Sequence, residues 1–181
     1  MNTPLYVPIT LAVLSIVTLV DSLTSAPAVE KAVAVLDTKD VKGEVTFDNE
    51  GTGVRVRAKF TELSGQHGFH IHKAGDLRGE GCKGACDHYH VGAAQNHGGP
   101  PGHSGGAPNT KGERHTGDLG NVTKGSYSYM LHGISVADLL GRSIIVHADK
   151  DDLGKGNASD SLTTGHSGAR IACAVIGRAK C

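Results

Sequence analysis

Two histidines stand one residue apart in the run GFHIHKAGD, residues 68–76. On a β-strand, residues i and i+2 share a face, so His70 and His72 leave on one side and Phe69 and Ile71 on the other. The apolar pair suits a core, and two imidazoles on the opposite face can chelate one metal. In RSIIVHA, residues 142–148, Ile144 and Val146 take the inner face, so His147 points outward like His70 and His72. More donors lie between these runs: His88, His90, His97, His103, His115 and Asp118. RHTGDLGN, residues 114–121, sets a carboxylate three positions after a histidine, at a glycine that permits a tight turn. Imidazoles with a single carboxylate make a tetrahedral zinc site. The outward strand histidines offer nitrogen alone, which better suits copper. The same composition also describes a histidine-rich flexible loop that binds metals loosely.

The elements that must position these donors are strands. Period-2 patterning marks 32–37, 42–48, 53–61, 68–72, 126–132, 142–148 and 169–178. In GVRVRAKFT, Val54, Val56, Ala58 and Phe60 alternate with Arg55, Arg57, Lys59 and Thr61, the pattern of a half-buried antiparallel strand. Seven or eight strands without an amphipathic helix predict an antiparallel sandwich or flattened barrel. Residues 73–125 and 149–168 lack periodicity, and irregular segments of that length are functional or disordered. The site is therefore expected outside the barrel wall, covered by these two loops.

Composition narrows the function classes. The 181 residues hold 26 glycines, 11 histidines and no tryptophan, which favours turns and short strands over helices. Eighteen basic and eighteen acidic side chains balance, and with no strongly basic stretch nothing points to nucleic acid. The first 20 residues carry no charge, so residues 1–28 read as a signal peptide or an N-terminal membrane anchor ahead of a domain at 29–181. Two N-x-[ST] triplets, at Asn121 and Asn157, and four cysteines, at 82, 86, 173 and 181, fit a secreted or lumenal, oxidising location. A membrane is a partner only if the leader stays uncleaved.

GFHIHKAGD, HGGP, RHTGDLGN, VHADKDDLGKG and GARIACAVIG occur in an order that resembles the copper–zinc superoxide dismutase family over nearly all of residues 31–179. The resemblance implies an all-β fold: an antiparallel eight-stranded Greek-key barrel or sandwich with two long loops forming the metal site. It implies copper held by His70, His72, His88 and His147, and zinc held by His88, His97, His115 and Asp118. His88 would bridge the metals as an imidazolate. Asp151 would join copper and zinc histidines through hydrogen bonds that fix ring orientation. Arg170 would guide and hold the superoxide anion, and Cys82–Cys173 would tie the metal loop to the barrel. The implied reaction converts superoxide to O₂ and H₂O₂ by copper redox cycling, in a homodimer, as antioxidant defence.

The chain departs from the family pattern in places. After the bridging histidine the family has aromatic-Asn-Pro, and here stands Tyr89-His90-Val91. His90 therefore competes with His88 for the bridge; the following aromatic residue and the distance from Cys82 favour His88. PPGHSGGAPNTKGE is longer than usual, which makes His103 a solvent-facing residue of a loop extension. His67, His132 and His166 have no ligand role, though His67 can hold its strand by a hydrogen bond. The second loop offers Asp160 but lacks the family's lysine, which leaves long-range steering in doubt. Cys86 and Cys181 can form a second bridge, pair between chains, or stay free. Two other function classes share the fold: a protein that sequesters copper or zinc, and a domain that delivers copper.

Overall fold

A computed structural model describes residues 29–92, 96–102 and 114–180. The leader at 1–28, His103 and Cys181 lie outside the described residues. The strands are β1 (Lys31–Asp37), β2 (Lys42–Glu50), β3 (Gly53–Glu62), β4 (His67–His72), β5 (Asp118–Val122), β6 (Gly125–His132), β7 (Ser143–His147), β8 (Arg170–Val175) and β9 (Gly177–Arg178). They form two antiparallel sheets, ordered β6-β3-β2-β1-β9 and β5-β4-β7-β8. β8 and β9 are one run that changes sheets at the buried Ile176, so eight chain segments make nine strands.

Alternation explains the layering. Ala32, Ala34, Leu36, Val45, Phe47, Val54, Val56, Ala58 and Phe60 point inward from the larger sheet. Phe69, Ile71, Ile144, Val146, Ala172 and Ala174 meet them from the smaller one. Phe60 and Phe69 touch edge to face, with ring centroids 5.4 Å apart across the core. His70 and His72 leave β4 on the far face, as period 2 requires, and His147 leaves β7 beside them.

The expected strands form, and the sequence pattern misses one. β5 lies inside the stretch read as irregular, because DLGNV carries a glycine at its centre and too few apolar positions to alternate. Gly120 there has φ +76°, and a Cβ would meet the Pro100 ring. Two one-turn helices also form, α1 (Val136–Leu139) and α2 (Ser161–Thr164). Neither is long enough to show a helical period. Ser135 and Asp138 close α1 as a capping box.

Phe69 fills the core directly behind the histidine face. Phe69→Ala should lower the unfolding free energy of the metal-free protein by about 3–5 kcal/mol, seen as a lower denaturant midpoint at unchanged slope.

Candidate metal centre

The loops are stitched to β4 by backbone hydrogen bonds. Tyr89 N–H donates to Ile71 O, Ile71 N–H to Gly117 O, and Gly117 N–H to Tyr89 O, at 2.7, 2.9 and 2.8 Å. Gly117 is required here, since a Cβ would strike the Ile71 carbonyl. His88 thereby forms a bridge with His72 in sheet register. The disulfide Cys82–Cys173 joins this loop to β8 across 91 residues.

Two donor groups result. His70, His72, His88 and His147 present one ring nitrogen each to a common point, and so do His88, His97 and His115 with an Asp118 oxygen. His88 belongs to both. Its Nδ1 lies 2.8 Å from Asp118 Oδ1, and its Nε2 is buried with no protein partner. His90 belongs to neither: it sits on the rim, where its Nδ1 accepts the Thr116 N–H at 3.2 Å.

Ring-nitrogen accounting shows which atoms remain for a metal. His72 Nδ1 and His147 Nδ1 donate to the Cys86 and Gly168 carbonyls at 2.9 and 3.2 Å, leaving their Nε2 atoms 3.4 Å apart. His70 Nε2 and His97 Nε2 meet Asp151 Oδ2 and Oδ1 at 2.9 and 2.7 Å. His70 Nδ1 and His88 Nε2 are buried with no hydrogen bond, and His97 Nδ1 and His115 Nδ1 turn to Asp118 Oδ1 at 3.0 and 3.4 Å. Buried polar nitrogens converging without partners are costly unless a cation takes them. The donors therefore fit two metal ions.

Asp118 is divided between two tasks. Its Oδ2 accepts the Gly98 and His115 N–H groups at 2.9 and 3.0 Å, while Oδ1 faces three imidazole Nδ1 atoms. Asp151 is held by Asn121, whose amide donates to Asp151 O and accepts its N–H, both at 2.8 Å. Gly165, at φ +68°, leaves room for the Asp151 carboxylate and His97 ring that a Cβ would displace. His67 is the positioning residue expected: Nδ1 lies 2.8 Å from His147 O, and Nε2 lies 2.7 Å from Ser64 O.

Electrostatics separate the groups. Burial, with His88 second, pushes His72 down to about 2, and burial takes His147 down to about 3. Burial also lowers His70 and His88. These rings are neutral, the state that binds metal. Burial opposes charge on His97 too, but Asp118 and Asp151 outweigh it and raise that ring to about 9. Burial opposes the Asp118 anion, yet His115, His88 and His97 hold it well below the usual carboxylate range.

A cleft of about 600 Å³ opens onto the histidines and is lined at its mouth by Arg170, Lys73, Asp87, Asp160 and Thr163. Arg170 Nη1 and Nη2 donate to the Cys82 and Cys86 carbonyls at 2.8 and 2.5 Å. Lys73 pairs with Asp87 at 3.4 Å, and Asp160 with His166 at 2.7 Å. Cys86 is exposed and has no disulfide partner among the described residues, in a backbone conformation of φ 61° that favours glycine. Lys150 and Lys155 are exposed.

Comparison with known proteins now decides the family. The profile of the copper/zinc superoxide dismutase (SODC) family matches residues 41–176. The chain belongs to this family. A superoxide dismutase [Cu-Zn] of Paramecium bursaria Chlorella virus 1 is 43% identical over 159 residues, covering 82% of this chain and 79% of the relative. Superoxide dismutase [Cu-Zn] 2 of Mesembryanthemum crystallinum is 40% identical over 160 residues, covering 81% and 94%. The crystal structure of the clock protein EA4 superposes with a TM-score of 0.71 at 32% identity, covering 87% of this chain and all of that one. The two sheets, the Cys82–Cys173 bond and donor groups compatible with copper and zinc are the features of such a dismutase.

The two groups should respond differently to pH. His97 must lose its proton to bind metal, so affinity at the carboxylate-bearing group should fall about tenfold per unit as pH drops below about 9. Calorimetry with Zn²⁺ at pH 7, in buffers of different ionisation enthalpy, should show about one proton released per ion. No release would mean that His97 is neutral in the metal-free protein.

Proposed function

We propose that this chain dismutates superoxide, with copper held by His70, His72, His88 and His147 and zinc held by His88, His97, His115 and Asp118. The observation that carries this reading is His88, whose two ring nitrogens face the two donor groups. When bound, copper supplies the one-electron oxidation of one superoxide to O₂ and the one-electron reduction of a second, while zinc supplies fixed charge. His88 Nε2 is the buried atom placed to hold a proton and pass it to a reduced product in the cleft, general acid work by an imidazole. Asp151, by taking Nε2 of His70 and of His97, fixes the tautomers that leave their Nδ1 atoms facing inward.

Arg170 binds the anion. Two carbonyls take its outward N–H groups and fix the guanidinium at the cleft, and partial burial lowers its pKa without removing its charge. A protein that merely stores metal has no use for an oriented cation or for a histidine shared between groups. Lys73 is neutralised by Asp87 and His166 by Asp160, so the steering field at this mouth is weak.

The chain acts as an exported homodimer in this reading. Export is supported by the apolar leader and the disulfide. Association is supported by exposed apolar side chains, Val35 and Val175, 58% and 42% exposed.

His147→Ala should remove most copper-dependent turnover and Asp118→Ala should chiefly release zinc, measured as metal content beside superoxide decay. Arg170→Ala should retain both metals and lose roughly tenfold in rate; full activity in His147→Ala would refute the copper set. His88→Ala should abolish the spectroscopic signature of metal–metal coupling and His90→Ala should leave it, whereas the reverse would move the bridge to His90.

With its mouth charges paired, the enzyme should lose less than about threefold in second-order rate between low and moderate salt. A steeper fall, measured by pulse radiolysis, would show that Lys150, Lys155 or another cation steers the substrate.

A further inference from the structure

The two N-x-[ST] triplets have the same sequence signature and opposite structural situations. Asn121, in Asn121-Val122-Thr123, lies within β5. Its Nδ2 donates to the Asp151 carbonyl and its Oδ1 accepts the Asp151 N–H, each at 2.8 Å. That nitrogen is the atom a glycan would take. A sugar on it would break the paired contact that carries Asp151 to His70 and His97. Val122 beside it is buried in the core.

Asn157, in Asn157-Ala158-Ser159, lies on a bend at residues 156–158, within the exposed run 155–157 and three positions before Asp160. Its side chain makes no hydrogen bond among the described residues. A glycan there would project into solvent from the loop ahead of α2, without touching a residue that orients the metal ligands.

We propose that Asn157 is the N-glycosylation site of the folded protein and that Asn121 is not one. The inference rests on the proposed export of the chain and not on its dismutase chemistry. In the transfer step Asn157 Nδ2 attacks the anomeric carbon of a lipid-linked oligosaccharide diphosphate. A C–N bond forms, the C–O bond to the diphosphate breaks, and the lipid diphosphate leaves as the amide loses one proton. Transfer precedes folding, so the structure selects afterwards: a chain modified at Asn157 folds unhindered, and one modified at Asn121 cannot close the Asp151 loop.

The test is expression of the full chain in a eukaryotic secretory host, with peptide mapping of the secreted, soluble protein after peptide-N-glycosidase treatment. Conversion of Asn157 to Asp with Asn121 intact is the expected result. Asn157→Gln should abolish the glycosidase-sensitive mobility shift, and Asn121→Gln should leave it. A glycan on Asn121 in the soluble protein, or a secreted chain bare at Asn157, would overturn the inference while leaving export standing. A chain retained unmodified in the cytosol would overturn both. Superoxide decay measured on the same material reports on the dismutase reading independently.

Discussion

Asp151 is the constraint on which the rest of the centre depends. Its carboxylate is fully buried, with one oxygen on a histidine of the sheet and the other on a histidine of the loop. A buried anion is tolerated only when its lone pairs are filled. Here His70, His97 and the Leu153 N–H fill them, the last at 2.7 Å. The contacts run both ways: the histidines solvate the anion, and the anion chooses which nitrogen each ring turns inward. Moving Asp151 would release one donor from each group, so the two groups are mechanically a single unit.

Sheet geometry makes such a unit possible. The strand histidines sit on the outer face of the smaller sheet, where they would ordinarily meet water, yet all are buried. What covers them is loop backbone docked through main-chain hydrogen bonds onto Ile71, the residue between them. Ile71 thus faces the core with its side chain and the metal loops with its peptide groups. The same docked loop supplies the Cys82 and Cys86 carbonyls to Arg170, and the Cys86 carbonyl also accepts from His72. The disulfide, which in the chain-entropy model is worth about 4–5 kcal/mol for a loop of this size, therefore anchors the loop that orients both the Arg170 guanidinium and the His72 ring.

Residues with period 2 were legible, and those placed by long-range contact were not. Phe69, Ile71, Ile144 and Val146 announce their strands, and the outward direction of His70, His72 and His147 follows from parity alone. β5 escaped because Gly120 interrupts its pattern, and the two helical turns were too short to have one. His88 and His90 share a loop and a residue type, and spacing cannot say which ring turns inward. That is decided by the Tyr89 backbone bonds to Ile71 and Gly117, which fix the ring before it at the sheet and leave the ring after it on the rim. The motifs marked Asp151 by family resemblance, while its geometry, 81 residues from His70, has no local signature. The pairing of Asn121 with its backbone had no signal except the sequon, which suggested something else.

The charges at the mouth show what a folded arrangement adds to a charge count. Lys73 lines the cleft and His166 sits beside its Asp160, and each cation lies against a carboxylate. Exposed pairs of this kind contribute little to stability, but they cancel much of each other's field at distances beyond the pair. Arg170 is different because its partners are carbonyl oxygens, which orient the guanidinium without neutralising it. The cleft therefore presents paired charges and one fixed positive charge whose partners are neutral. Such an arrangement favours capture at short range over attraction from afar, and it places selectivity in the cleft, where burial strengthens every electrostatic contact.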